Sequence, residues 1–570
     1  MSAISNISLL SLDGNTGFRL DGVAAGDQSG FSVSNAGDIN GDGFDDVIIG
    51  ASLADPNGNE SGASYVVFGD ASGFNPVMAL SSLDGNTGFR VEGATTYDRS
   101  GRSVSGGGDV NGDGFDDLIV GARLTDQNGY SYGYHHSNGS GASYVVFGKA
   151  SGFSATLDLS GLDGNNGFRL DGKLAYSASG HSVSSAGDVN GDGYDDLIVG
   201  APDPFALLPE DEYSRSGNNY VIFGKGSGFS AALDLFSLDG STGFHLDGVI
   251  GDHLGYSVSS AGDVNGDGFD DLIVGARLTD PSGYSYGNGF GTSYVVFGKA
   301  SGFSATLNLS SLDGSNGFRL DGELLAYGVS GHAVSNAGDV NGDGFDDLII
   351  GASGANSNST SYVVFGKASG FSATMNLSSL DGRNGFRLDG ELLAYGVSSH
   401  AVSNAGDVNG DGFDDLIIGA SDANSNGTSY VVFGKASGFS ATLDLSSLNG
   451  HNGLRLHGVA THDNLGKSIS SAGDMNGDGF DDLIVGAPGA DVNGSDSGAS
   501  YVIFGSSSFS GDVAYLGTAG DDNLRGTSAA ERFEAGDGND RMIGRGGADV
   551  FHGDAGDDTI KVSDLSFESV

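Results

Sequence analysis

Asp38-Ile39-Asn40-Gly41-Asp42-Gly43-Phe44-Asp45-Asp46 is the stretch that decides how this chain is read. Nine residues carry four carboxylates and one carboxamide, with glycine at the fourth and sixth places. Side-chain oxygens at positions 1, 3, 5 and 9 (Asp38, Asn40, Asp42, Asp46), with the carbonyl of Phe44 at position 7, can surround one hard cation. Calcium takes roughly 6–8 oxygens in a flexible geometry, whereas magnesium demands a tighter octahedron and keeps water. A hairpin turn alone needs only the Asn-Gly step. It does not need further carboxylates, which repel at this range unless something neutralises them.

The pattern returns six times, at intervals of roughly seventy residues. It reads Asp109, Asn111, Asp113, Phe115, Asp117; then Asp188, Asn190, Asp192, Tyr194, Asp196; then Asp263, Asn265, Asp267, Phe269, Asp271. Next come Asp339, Asn341, Asp343, Phe345, Asp347, then Asp407, Asn409, Asp411, Phe413, Asp415, and last Asp474, Asn476, Asp478, Phe480, Asp482. None is an EF-hand: in the first loop position 12 is Ile49, and the flanks read as strands.

Each loop is preceded by a segment such as Gly255–Gly262 and followed by an apolar run such as Asp271–Ala276. Further on come Ser-Tyr-Val-Val-Phe-Gly (293–298) and Leu-Asp-Gly-x-x-Gly-Phe-Arg-Leu-Asp-Gly. These are four short β-rich segments per repeat, bounded by Gly, Asn and Asp turn signals. The Leu-Ile-Val run is apolar on both faces, as a strand between two packed layers must be. Four strands per repeat, arranged radially, make the blade of a β-propeller.

Closure follows from the frame. Gly17–Gly22 matches a fourth strand but precedes the first loop, and no equivalent follows Tyr501–Gly505. If the N-terminal strand completes the last blade, the ring closes and an exposed sheet edge disappears. The expectation is an all-β chain: a seven-bladed propeller with four-stranded blades over 1–515, then a calcium-binding segment over 516–570.

Composition agrees. The net charge of −50 repels nucleic acid and anionic membrane alike. The seven loops hold 28 of the 74 acidic residues, so the charge is concentrated at fixed spacing. Cysteine is absent, so calcium rather than disulfides is the expected staple. The N-terminus shows no signal-peptide pattern, and no apolar run approaches transmembrane length.

Together the repeats resemble the FG-GAP repeats of integrin alpha-chain propellers. The naming residues are present as Phe504-Gly505 and as Gly486-Ala487-Pro488 or Gly200-Ala201-Pro202. Most repeats carry Gly-Ala-Ser or Gly-Ala-Arg instead of Gly-Ala-Pro. The resemblance implies calcium in the loop joining strands one and two, where all seven acidic loops fall. It carries no integrin signalling, because leg domains and membrane anchor have no counterpart here.

From Gly517 the chain falls into nines, with an acid at the sixth place (Asp522, Glu531, Asp540, Asp549, Asp558) and an apolar residue at the eighth (Leu524, Phe533, Met542, Phe551, Ile560). This resembles the RTX calcium-binding repeat, which implies a short parallel β-roll sharing calcium ions between turns, with Asp522, Asp540, Asp549 and Asp558 as ligands. The second nine departs, with Ala529-Ala530-Glu531 in place of Gly-x-Asp. The resemblance also implies an extracellular or cell-surface location reached by type I secretion. The expected cofactor is calcium, about seven ions in the propeller and a few in the roll.

The loops between strands two and three, opposite the acidic loops, are longest in blades two, three and four. They carry Tyr130, Tyr132 and Tyr134, then Tyr213, then Tyr284 and Tyr286. Aromatics with polar tips on adjacent long loops suit an extracellular glycan or protein ligand, or simply pack those loops. The reading is therefore a non-enzymatic adhesion or recognition module. The alternatives are a structural matrix or surface-layer component, and a propeller-type hydrolase or lyase. FG-GAP propellers do accompany the catalytic domain of a glycosylphosphatidylinositol-specific phospholipase D, but no His-Glu-x-x-His motif occurs.

Overall fold

The computed structural model describes residues 6–561, apart from 126–138, 151, 173–176, 203–216, 249–251, 277–290, 323–328, 354–359, 391–400, 422, 424–425, 437, 511–513, 517–521, 527–531, 535–537, 546–549, 554–555 and 557. Seven sheets surround an axis. Blade one runs outward as Ser32–Gly37, Asp46–Ala51, Ala63–Val67 and Gly88–Glu92, all antiparallel. The innermost strands of successive blades touch all the way round, including Ser32–Gly37 of blade one against Ile469–Gly473 of blade seven. The ring closes as expected: Gly17–Asp21 pairs antiparallel with Ala499–Ile503, Phe18 opposite Val502.

The four expected strands are present in every blade, and a fifth joins them. In blade one it is Thr156–Asp158, parallel to Gly88–Glu92. In sequence that segment belongs to blade two, whose chain leaves its third strand, pairs with blade one, and returns to its own fourth. Blade seven receives Val77–Ala79 from blade one, and blade six receives Asn6–Ser8 from the N-terminus. The N-terminal residues thus supply strands to two blades. Each outer edge is covered by a neighbour, which removes the unpaired edge that invites aggregation.

The core lies between blades. Along Asp46–Ala51, Val47 and Ile49 face the cleft shared with blade seven, while Ile48 faces blade two. That alternation is why the run is apolar throughout. A trio of rings pins six of the seven clefts; in blade six Leu454 stands where the others carry phenylalanine. Phe89 of blade one stacks on Phe153 at 4.7 Å, and Phe68 tilts against both at 6.0 and 5.5 Å. Phe153 arrives on the excursion from blade two, with Lys149 Nζ 4.7 Å over its face. Burial of one such ring contributes about 1.5–3 kcal/mol, and each aromatic pair adds about 0.5–1.5.

The arginines of the Phe-Arg-Leu segments pair with acids two residues along the same strand, as in Arg19–Asp21, Arg169–Asp171 and Arg319–Asp321. Arg90–Glu92 and Arg387–Asp389 repeat the arrangement.

At the C-terminus two three-stranded parallel sheets face each other in a short roll. One holds Ala514–Leu516, Arg532–Glu534 and Val550–His552; the other holds Asn523–Arg525, Arg541–Ile543 and Thr559–Lys561. Alternate nonapeptides go to opposite sheets. Phe533, Met542 and Phe551 are buried between them, with Leu524 and Ile560 packed alongside. All five eighth-place residues meet in one core.

Candidate metal centres

Each acidic loop joins the first strand of a blade to the second. Its first aspartate folds the loop onto itself: Asp38 Oδ1 accepts from the Asp42 N–H at 3.0 Å, and Oδ2 from the Gly43 N–H at 2.9 Å. Asp42 Oδ1 then accepts from the Phe44 N–H at 3.1 Å. Gly43 has φ +91°, and a Cβ there would meet nothing, so backbone conformation alone selects glycine.

The ninth residue is the buried one. Asp46, Asp117, Asp196, Asp271, Asp347, Asp415 and Asp482 are all fully enclosed. In blade one, Asp46 accepts from the Gly69 N–H at 2.9 Å and from the Ile39 N–H at 3.2 Å. Gly69 is the glycine of the Phe-Gly pair, so the two signature elements of the repeat meet at this carboxylate. Burial pushes the Asp46 carboxyl up to about 8, and the nearby Asp42 and Asp38 push the same way. Asp117, Asp196, Asp271 and Asp347 likewise stand at about 8, and Asp482 at about 9. Asp415 is raised well above the usual carboxylate range for the same reasons.

The third residue completes the cluster. The side-chain amides of Asn111, Asn190, Asn265, Asn341 and Asn409 lie 3.2 to 3.5 Å from the ninth carboxylate of their own loops. Position 3 therefore meets position 9, the charges of positions 1 and 5 lie near enough to act on it, and the donor chemistry, carboxylate and carboxamide oxygen, fits a hard divalent cation. Among the described residues no three His, Asp or Glu side chains stand together at metal-ligating distance. The first carboxylate of the loop is held by the backbone N–H groups of its fifth and sixth residues.

Two contacts that sequence reasoning missed tie the loops to one another. The eighth residue accepts from the N–H of the first residue in the preceding blade: Asp116 Oδ2 from Asp38 N at 2.8 Å, Asp195 from Asp109 at 2.8 Å, and so round to Asp45 from Asp474 at 2.9 Å. The seventh residue, expected to offer its carbonyl, also lays its ring on the preceding loop. A Cβ on Gly41 would stand 2.3 Å from the Phe115 ring, which is why position 4 is glycine. The signal was in the sequence, since Asp at position 8 and Phe or Tyr at position 7 recur in all seven loops. Reading each loop alone hid it.

In the roll, residues eighteen apart form a ladder. The Asp522 N–H donates to Asp540 Oδ1 at 2.7 Å, and the Asp540 N–H to Asp558 Oδ1 at 2.9 Å. Asp540 is buried and its other oxygen, Oδ2, accepts no hydrogen bond from any of the described residues. An enclosed carboxylate oxygen without a donor fits a cation ligand. Asp549 lies outside the described residues, as do Tyr130, Tyr132, Tyr134, Tyr213, Tyr284 and Tyr286 of the expected ligand face.

Comparison with known proteins agrees with this architecture. The FG-GAP repeat matches at residues 29–67, 100–146, 179–221, 254–296, 330–364, 400–432 and 466–503, one match per blade. The RTX calcium-binding nonapeptide repeat matches at 525–560. The chain belongs to the FG-GAP repeat β-propellers and carries an RTX calcium-binding segment. Integrin alpha-IIb of Mus musculus is 30% identical over 187 residues, 33% of this chain and 16% of that protein. Integrin alpha-4 of Xenopus laevis is 27% identical over 263 residues, 45% of this chain and 21% of that protein. Phosphatidylinositol-glycan-specific phospholipase D of Dictyostelium discoideum is 26% identical over 323 residues, 54% of this chain and 31% of that protein. The chain spans less than a third of the length of each of these relatives. No helix among the described residues is long and apolar enough to cross a membrane.

Proposed function

We propose that this chain is an extracellular recognition module in which one calcium ion occupies each acidic loop and further ions occupy the roll. The observation that carries the reading is the sevenfold recurrence of a fully buried carboxylate crowded by two others of its own loop. Such a site costs stability when empty and gains it when a divalent cation arrives. Asp38, Asn40, Asp42 and Asp46, with the carbonyl of Phe44, are the proposed holders in blade one, and their equivalents serve in the other six. The ion supplies neutralising charge; the chain supplies the rigid ring. Because the eighth aspartate links each loop to the next, ordering one loop by calcium also orders its neighbour's first residue.

The extracellular or cell-surface setting, and type I secretion as the route, rest on the RTX repeat. The likeness to integrin alpha chains supports a protein ligand, and a glycan is the other class to be screened. Immobilised glycans and matrix proteins, probed with the full chain in millimolar calcium and again in chelator, test the reading. Saturable binding lost in chelator is the expected result. A protein shown to be folded in calcium that binds none of them, and instead self-associates, is a structural component.

A further inference from the structure

Arg102 and Arg123 stand at the end of blade two that lies away from its acidic loop. Arg102 precedes the inner strand Ser103–Gly108, whose far end runs into Asp109, six residues or about 20 Å away. Arg123 follows the second strand, Asp117–Ala122. The two strands are antiparallel with Ser103 opposite Gly121, so both arginines leave the same end of one ladder. Both are half-buried.

Neither guanidinium has a counter-charge. The Arg102 guanidinium lies 3.9 Å over the Phe31 ring of blade one. Arg123 Nη1 lies 3.4 Å from His181 Nδ1 of blade three, and because arginine can only donate, that ring nitrogen accepts. Arg123 Nε is buried and has no hydrogen-bond partner. Arg99 is a third guanidinium within electrostatic reach of both, but it has its own carboxylate in Glu60, to which Nε donates at 2.7 Å. Among the described residues no carboxylate lies within electrostatic reach of Arg102 or Arg123.

A chain with 74 acidic and 24 basic side chains could give every cation a carboxylate, yet it leaves these two together. Burial, then the neighbouring guanidinium groups, hold both below the usual arginine range, Arg102 at about 9. Cations gathered out of water at this cost are relieved by an anion. The flat ring faces alongside are already covered: Arg102 and Lys467 lie over Phe31, and His181 and His332 pack on Tyr256 at 4.7 and 5.0 Å. What the site has left to offer is N–H donors, which suit a small ligand made of acceptor oxygens.

We propose that Arg102 and Arg123 hold one small oxyanion from solution, a carboxylate or a tetrahedral ion such as sulfate. The planar guanidinium presents paired N–H donors that match two oxygens of such an ion, and a halide has no such pair of acceptors. The net charge of −50 repels a polyanion far more than a single small ion. Arg102 packs on blade one and Arg123 reaches blade three, so the ion fastens three blades at once. It neutralises this end of the ring as the proposed calcium ions neutralise the other. The site goes beyond the recognition reading and does not depend on it.

The test is the melting temperature of the full chain in millimolar calcium, at constant ionic strength, as chloride is replaced by acetate or by sulfate up to about 10 mM. A rise that saturates is expected with at least one of the two ions, and which one identifies the acid group. Calorimetric titration of that ion should then give one site per chain. In Arg102→Gln/Arg123→Gln the rise is lost, or its half-point moves at least about tenfold higher. If that variant loses its fold, Arg102→Lys/Arg123→Lys replaces it; both charges stay, the fork is gone, and the half-point again moves higher. Sulfate also stabilises proteins by exclusion from their surface, but that effect does not saturate and is shared by wild type and variant. No rise on replacing chloride, a rise without saturation, or an equal rise in wild type and a folded variant overturns the assignment.

Discussion

Replacing Asp117 by asparagine should stabilise the protein without calcium and destabilise it with calcium. Asp117 is fully buried, and burial, then Asp113 and Asp109, hold its carboxyl at about 8 against an ordinary 3.8. In the unfolded chain that carboxyl is ionised at pH 7; in the calcium-free fold it is held protonated or pays for its charge. The difference between pH 7 and 3.8, at about 1.36 kcal/mol per pH unit, removes about 4 kcal/mol of stability at this loop. Asparagine carries no charge and recovers that amount. Its oxygen still accepts from the Gly148 N–H, but its amide group now faces the Val110 N–H, which costs about 1–3 kcal/mol. The gain wins, leaving a net stabilisation of about 1–3 kcal/mol in chelator. In calcium the sign reverses, because a charged ligand has been lost from one of seven loops. Urea unfolding at pH 7, in millimolar calcium and in chelator, reads both arms. A variant less stable than wild type by the same amount in both conditions would refute the reasoning, and would make Asp117 a hydrogen-bond acceptor with no electrostatic role.

Three further outcomes follow from the same geometry. Calcium-free protein should lose stability as pH rises from 5 toward 8, because the raised carboxyls of Asp46, Asp117, Asp196, Asp271 and Asp347 hold protons in the fold that the unfolded chain releases above 3.8. Calcium should flatten that slope, and melting temperatures across the range check both. Gly69→Ala should lower the urea midpoint by the equivalent of at least about 2 kcal/mol, since its Cβ would stand 2.5 Å from the Asp45 carbonyl and 2.8 Å from that of Met475, backbone atoms of two blades. Phe153→Ala should cost about 3–5 kcal/mol by emptying the stack under Phe89 and Phe68 that fastens blade two to blade one; an unchanged midpoint would contradict the staple.

Much of this was legible in the sequence because it recurs. The spare Gly17–Asp21 segment disclosed closure, and the doubly apolar Asp271–Ala276 type of run disclosed a strand between two clefts. The eighth-place residues of the nonapeptides disclosed the core of the roll. What stayed hidden acts between repeats. Thr156–Asp158 is too short to announce itself as a strand, and its partner lies in another blade. Asp116 read as one more loop acid until the fold set it against the Asp38 N–H. The residues that open the innermost strands, among them Phe31, Arg102, Tyr256 and Lys467, vary between blades, so repeat analysis discards them as variation. Only the ring brings them together.

The count of calcium ions retained by the full chain tests the central claim most directly. Native mass spectrometry after exchange into calcium, paired with melting in chelator, should give about seven ions for the propeller plus a few for the roll. Removing one loop's ninth aspartate, as in Asp117→Asn, should lower that count by one. A chain that retains ions only in the roll, with a propeller melting temperature indifferent to chelator and a count unchanged by Asp117→Asn, would contradict the account.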